Sequence, residues 1–476
     1  MKRLLFLVML VVMAGCGGGG GGATGTGGSG SGPGADSGDV TISGKVADTT
    51  FVAVDAANST VVARQAAATQ TDGSKTFSIK VQSGKQYKFY LVENEGTSDE
   101  RVFPLYIGSS NRFSLSAGTC DLGFVSTAGG TAVPANTPTQ FAGAGEDKTV
   151  PAGVVTNQSS VYSQSDLAGT WYIFGFNVTD REWSRATYII TTTGAASTTN
   201  LITSNNPSPQ TRNHTLTISP SGVVSTASGP FEKAVMTKSK DLVVGVGNDN
   251  DGQSRSMVIA VKAGTGFSQS DMIGAWQMHG LTVSDTQRGW IRGDASFAAN
   301  GTSTLSNFRS SNPNLTSFGR GIPVTIDSTG LIAGGGGAMT KDKNLGVLTT
   351  INEDGSVSLA LLVRSGGTTF SQADLKGTWR SNHINIGTSN NFWVSSQALI
   401  DATGIVSSFG VVTNGIAEPD NTSTAPVVLN AEGKLSGDVP PNQLEGIMTP
   451  NKKIAVYTKT NNTGNADYSR LGIVLK

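Results

Sequence analysis

Cysteine and histidine are nearly missing from this 476-residue chain, at two and three copies, and charged residues make up only 14%. Two cysteines exclude a framework of several disulfides. Lysine plus arginine and aspartate plus glutamate balance at 34 each, so no basic surface offers itself to nucleic acid, whose binding rests on clustered Lys and Arg. His214, His279 and His383 stand apart, and none belongs to a His-x-x-x-His or Cys-x-x-Cys arrangement that would hold a metal. Long apolar runs are lacking too: Leu4–Met13 falls well short of the about 20 residues that span a bilayer as a helix.

What is present begins with a leader. Lys2 and Arg3 precede that apolar run, and small Ala14 and Gly15 precede Cys16, the layout of a signal peptide over residues 1–15. Met13-Ala14-Gly15-Cys16 resembles the lipobox of bacterial lipoproteins. The resemblance implies cleavage before Cys16, a diacylglyceryl group on its thiol and a palmitate-type acyl chain on the new N-terminus, with the membrane as partner through that lipid. Several acyl chains, at about 0.8 kcal/mol per buried methylene, anchor more firmly than one. By the same resemblance, Gly17 rather than Asp implies the cell outer membrane, on its periplasmic or surface-exposed face. Residues 16–38 are almost all Gly, Ser, Thr and Ala, a flexible tether. With Cys16 lipidated, Cys120 has no disulfide partner and is expected as a small buried strand residue.

Residues 39–125 hold short alternating segments, VTISGKVA, FVAVDA, TFSIKV and QYKFYLV among them, separated by Asn, Asp, Gly and Ser turns. They read as the six or seven strands of a β-sandwich. Gly44-Lys45-Val46, Asp72-Gly73, Phe77 and the step from Gly84 to Tyr87 resemble the prealbumin-like, carboxypeptidase-regulatory type of domain, which implies a non-catalytic spacer or binding sandwich. A generic immunoglobulin-like sandwich is the alternative. Residues 126–161, with Pro134, Pro138 and Pro151 and no periodic pattern, read as a linker.

One motif then occurs three times, as YSQSDLAGTW from Tyr162, FSQSDMIGAW from Phe267 and FSQADLKGTW from Phe370. Glycines recur with it at Gly194, Gly301 and Gly404 and at Gly222, Gly330 and Gly433, which defines β-repeats at 162–265, 266–369 and 370–476. Each repeat offers about eight strands joined mostly by short turns, and the chain reads as all-β, a sandwich followed by three tandem antiparallel β-barrels. Ser163 and Asp166 have capping-box spacing, so a single helical turn is expected before the first strand. Gly169-Thr170-Trp171, Gly274-Ala275-Trp276 and Gly377-Thr378-Trp379 resemble the Gly-x-Trp opening of lipocalins and other calycins. That resemblance implies a tryptophan plugging one barrel end beneath a basic residue of the last strand, here Lys262, Arg364 or Lys476. The competing architecture splits each repeat into two four-stranded sheets and closes all three into one six-bladed β-propeller, favoured by the likeness of YIITTTGAAST to LTISPSGVVST.

Titratable residues neither recur at matching positions as a reactive set nor cluster in one copy, so no catalytic residues and no cofactor are expected, and the chain reads as not an enzyme. Asp166, Asp271 and Asp374, beside Ser163, Ser268 and Ser371, read as caps. Asn248-Asp249-Asn250-Asp251-Gly252 looks like part of a calcium loop through Asp249 and Asp251. No glutamate follows to complete that shell, and a polar hairpin turn accounts equally for it and for its counterparts at 352–355 and 461–464. Arg292-Gly293-Asp294 falls inside an expected strand beside Trp290 and Ile291 rather than in a presented loop. The function expected is a lipid-anchored module of the cell envelope that binds a small ligand, a glycan or an envelope protein, or serves structurally. The alternative is a propeller enzyme or lectin-like adhesin with its site on the ring axis. Replacing Cys16 with Ser should move the protein from membrane to soluble fractions; persistent membrane fractionation of Cys16→Ser would refute lipid anchoring.

Overall fold

The structure is a computed structural model that describes residues 38–476 except 72–73, 97–99, 129, 148, 156–161, 227–232, 249–251, 317, 319–322, 335, 388–389, 424, 438–442 and 463–466. The leader, Cys16 and nearly all of the tether lie outside the described residues.

Alternation shapes the first unit. In strand Asp39–Val46 every second residue is buried, Val40, Ile42 and Val46 facing inward, and Lys75–Gln82 alternates likewise. Five strands form one sheet and six the other. Phe51, Phe77, Phe89, Phe113 and Phe141 pack between them, Phe51 stacked on Phe77 at 4.0 Å, and Cys120 is buried in the same core. Strands Thr131–Pro134 and Phe141–Gly143 extend these sheets inside the segment read as a linker. They are edge strands of four and three residues, too short to show a period, and Pro134 is tolerated because an edge position needs no ladder N–H.

In each repeat the first and last strands pair with each other, which curls the sheet into a barrel wall and in the first repeat closes it. Gly169–Asn177 pairs with Glu182–Ile190 on one side and Arg255–Lys262 on the other, closing eight antiparallel strands. Gly274–Val283 is likewise held between Arg288–Phe297 and Val357–Arg364, and Gly377–Gly387 between Phe392–Ile400 and Asp467–Leu475. This pairing excludes the propeller, since each repeat curls as one sheet rather than splitting into two blades. In the second and third repeats the described ladders do not join Ser303–Ser310 or Val406–Thr413 to the following half. The connections there carry Pro313 and Pro323, and Pro419 and Pro426, which lack the N–H a ladder requires.

The recurrent glycines have steric causes. Gly169, Gly274 and Gly377 open the first strands at φ of +121°, +124° and +123°, which side chains disfavour. A Cβ on Gly222, Gly330 or Gly433 would come within 2.7, 2.9 or 2.7 Å of the ring of Tyr162, Phe267 or Phe370, so the aromatic that opens each motif packs on a residue that must lack a side chain.

The first strand of the first barrel is buried at every position from Trp171 to Asn177. Such continuous apolar runs mark strands covered on both faces. Trp171 and Ile173 point into the barrel, filling it with Ala186, Ala196, Ala234 and Ala260. Tyr172, Phe174 and Phe176 point outward and join Leu281, Leu359 and Leu361 of the second barrel and Ile384, Val456 and Ile473 of the third in a single core. The three barrels therefore pack wall to wall, and each interior holds its own smaller cluster. Residues 267–369 expressed alone should expose this outer wall and aggregate or bind hydrophobic dye. In the whole chain Leu361→Ala, at a fully buried site, should cost about 2–5 kcal/mol in urea unfolding.

Candidate ligand cleft between the second and third barrels

The motif residues are spent on structure. Trp171, Trp276 and Trp379 are buried and donate Nε1–H to the carbonyls of Leu167, Met272 and Leu375 at 2.7, 2.8 and 2.7 Å. Lys262 Nζ, Arg364 Cζ and Lys476 Nζ lie 5.3, 4.4 and 5.4 Å from the three ring centroids. Asp166, Asp271 and Asp374 accept from the N–H of Ser163, Ser268 and Ser371 at 2.7, 2.9 and 2.8 Å, and pair with Lys240, Lys343 and Lys452. Burial alone would raise these carboxyl groups, but the lysine and backbone hydrogen bonds outweigh it and hold all three below the ordinary value.

Chemistry collects instead where one barrel meets the next. Phe174 with Arg185, His279 with Arg292, and Asn382 with Ser395 are one cross-strand pair in three copies, each two residues beyond a tryptophan on the second strand. Each copy faces a neighbouring barrel. Arg185 Nε donates to Thr349 Oγ1 at 2.7 Å, Arg292 donates to the Thr458 hydroxyl and carbonyl at 2.5 and 2.7 Å, and Asn382 Nδ2 donates to the Val244 carbonyl at 2.9 Å. Trp290 Nε1 reaches Thr460 Oγ1 at 2.6 Å and Trp393 Nε1 reaches Asn248 Oδ1 at 2.9 Å. The corresponding position opposite Trp183 is Ile351, and the buried Trp183 Nε1 has no hydrogen-bond partner.

Between the second and third barrels this arrangement leaves a cavity of about 440 Å³. Arg292, 3% exposed, lies over the Trp290 ring at 3.9 Å and pairs with Glu445 of the third barrel at 2.8 Å. Glu445 also takes Arg309 in two bonds, at 3.1 and 2.5 Å. Asp294 accepts from Gln277 Nε2 and Asn307 Nδ2, both at 2.6 Å and on separate oxygens. Burial brings Arg292 down to about 10, while in Glu445 the two arginines outweigh burial and lower the carboxyl. His279, 4% exposed, sits 3.2 Å from Thr458 Oγ1, and burial, with Arg292 and Arg309 nearby, takes it down to about 3.

At the two equivalent junctions the chain's own side chains occupy this register. At the third-to-first junction Arg380 and Gln397 occupy the positions of Gln277 and Asp294. There the sandwich inserts Glu93, 1% exposed, which accepts from Arg380 and Thr127 at 3.0 Å each and from Gln397, leaving about 40 Å³ beside them; a separate cavity of about 350 Å³ lies between residues 237–239 and 451–454 of the same two barrels. At the first-to-second junction Tyr172 takes that register position and its hydroxyl meets Thr329 Oγ1 at 2.6 Å.

No family model and no curated protein matches this chain. Distant likeness to solved structures exists. A protein of unknown function from Nostoc punctiforme is 11% identical over 66% of this chain and 99% of its own, with a TM-score of 0.18. A mutant of transferrin binding protein B from Haemophilus parasuis is 7% identical over 62% and 66%, at 0.24. Kievitone hydratase from Nectria haematococca is 10% identical over 68% and 93%, at 0.17. TM-scores this low carry no argument about function.

Of the remaining residues noted in the sequence, Asp249 and Asp251 lie outside the described residues. In their second-repeat counterpart Asp354 accepts from the Ser356 N–H and hydroxyl at 2.9 and 2.6 Å, and Asn352 N–H donates to the Ser356 carbonyl, which closes a hairpin turn. Among the described residues no group of three His, Cys, Asp or Glu is placed to hold a metal. Arg292 and Asp294, set aside in the sequence because they lie in a strand, line the cleft; Gln277, Asn307 and Glu445 carried no signal beyond being the places where the repeats differ.

Buried histidines set a pH dependence. Unfolded His279 titrates near 6.5 and folded His279 near 3, so between these values the unfolded chain binds a proton that the folded chain does not. Stability is then full above about pH 6.5 and falls as pH drops, and His383, also pushed well down by burial, acts in the same direction. Urea unfolding from about pH 7.5 to about pH 5 should show this loss, and His279→Asn, which installs the residue of the third repeat, should reduce its slope by up to about 1.4 kcal/mol per pH unit.

Proposed function

We propose that this chain is a lipid-anchored, non-enzymatic binding module of the cell envelope, held at the outer membrane through Cys16, and that it binds its ligand in the cleft between the second and third barrels. The observation that carries this reading is the contrast among three equivalent junctions. At this register two are occupied by the chain's own side chains, whereas the third keeps about 440 Å³ lined by polar groups. Concave sites of this size with a few placed polar groups are how proteins hold small ligands or protruding segments of larger ones.

A binding rather than catalytic role is supported by the buried histidines. His279 contacts a threonine hydroxyl, and His383 Nδ1 contacts the hydroxyls of Ser381 and Tyr457 at 3.4 and 3.3 Å. Burial holds both neutral, and neither is oriented by a carboxylate as a general base would be. A tether of residues 16–38 would keep the folded part roughly 25 Å from the lipid on average, leaving the cleft open to its surroundings.

Hydrogen exchange on the soluble Cys16→Ser chain tests the location. A low-molecular-weight extract of the cell envelope should slow exchange in Ser303–Ser310 and Leu444–Met448 and leave Ala195–Thr203 of the first barrel unchanged. Equal protection everywhere, or none, would count against the cleft.

A further inference from the structure

We infer that the open cleft takes a neutral, polyhydroxylated ligand, a mono- or disaccharide unit; this rests on the cleft being the binding site. The same register positions at the closed junction show what a carboxylate ligand needs. Glu93 is met by Arg380 and Gln397, donors both, and by the Thr127 hydroxyl. In the open cleft those positions hold Gln277 and Asp294, so the donor pair has become an amide and a carboxylate. An anionic ligand placed as Glu93 is placed would face Asp294 directly.

A cation is disfavoured from the other side. Arg292, Arg309 and Lys434 line the same cavity against Asp294 and Glu445, so cationic groups outnumber carboxylates. Glu445 is moreover already committed to the two arginines. A neutral ligand is opposed by neither Asp294 nor the cationic groups.

The groups with hydrogen-bonding capacity left over define its chemistry. Arg292 spends Nε, Nη1 and Nη2 on Thr458 and Glu445. Asp294 accepts one amide hydrogen on each oxygen and keeps a lone pair on each. Gln277 and Asn307 each use one amide hydrogen on Asp294 and retain their carbonyl oxygen and second hydrogen. The result is a line of alternating acceptors and donors, amide, carboxylate, amide, fixed by two 2.6 Å bonds. A hydroxyl donates and accepts at one atom, so vicinal hydroxyls match such a line without leaving either side unpaired. Phe308, which packs on the interior core of the second barrel, adds apolar lining to the same cavity. A cavity of about 440 Å³ lies within the range of small-ligand sites and admits a ligand of this size.

The test uses the full-length Cys16→Ser chain and titration by saturation-transfer NMR with glucose, galactose, mannose, N-acetylglucosamine, maltose and cellobiose. At least one should bind saturably. Asp294→Ala should weaken that binding about tenfold or more, the effect of losing a hydrogen bond to a charged group. Gln277→Ala, which leaves the carboxylate and the fold's core untouched, should weaken it less. Thr187→Ala, at the register position of Asp294 in the first barrel, should change nothing. Absence of binding by every sugar, or binding indifferent to both cleft variants, overturns the assignment. A synthetic peptide of residues 86–96, which carries Glu93, is titrated in parallel. Its binding in the cleft without any sugar binding would also overturn the saccharide assignment while leaving the binding reading in place.

Discussion

Burial of the first and last strands of each repeat on both faces is the constraint from which the rest of the structure follows. A barrel whose outer wall carries Phe174, Phe176 and Ile259, or Leu359 and Leu361, cannot stand alone in water, because each such side chain contributes about 1.5–3 kcal/mol only when covered. Three walls covering one another fix which strands meet. Polar groups caught at the seams must then find partners within them, since a buried donor left unpaired costs about 1–3 kcal/mol. Arg185 on Thr349, Arg292 on Thr458, Trp290 on Thr460 and Trp393 on Asn248 are those partners, and Trp183, whose Nε1 has none, is the exception.

The N-terminal sandwich is a fourth party to this packing. Arg101, 2% exposed, donates to the carbonyls of Ser221 and Met236 in the first barrel, and Phe124 stacks on Phe409 of the third at 4.9 Å. The buried pair of Glu93 and Arg380 adds little net stability, since desolvation offsets most of its attraction, but it fixes where the sandwich sits: any other placement leaves a buried charge unpaired. By seating there, the sandwich closes one junction and leaves its equivalent open. The difference between a filled and an empty cleft thus originates in a domain that contributes nothing to the open one.

Much of this was legible in the residues. The threefold motif, the strand count of the first repeat, the Ser-to-Asp caps and the Gly-x-Trp openings each follow from local rules of turn chemistry, capping and alternation, and local rules act within a few residues. Barrel-to-barrel packing was not legible for a definite reason. In Trp171-Tyr172-Ile173-Phe174 every position is apolar, so no period separates the face turned to the lumen from the face turned to a neighbour. The short strands at 131–134 and 141–143 escaped because an edge strand of three or four residues has no room to alternate. The cleft residues escaped because attention to repeats selects what recurs, and Gln277, Asp294, Asn307 and Glu445 are where the repeats diverge.

Divergence at one register is what separates a seam from a site. Tyr172, Gln277 and Arg380 occupy the same place on the first strand, and their reach decides the outcome: tyrosine and arginine cross the gap to Thr329 and Glu93, whereas glutamine turns back to Asp294 on its own sheet. The open cleft is nonetheless not a packing defect. Arg292 is held by Trp290, Thr458 and Glu445, so its guanidinium is already ordered, and a ligand need not bear the entropy of fixing it. A seam saturates its hydrogen bonds and closes. This cleft spends Arg292 and Glu445 on each other and on their neighbours and leaves part of the capacity of Gln277, Asp294 and Asn307 unspent, the combination that the proposed recognition of an uncharged ligand requires.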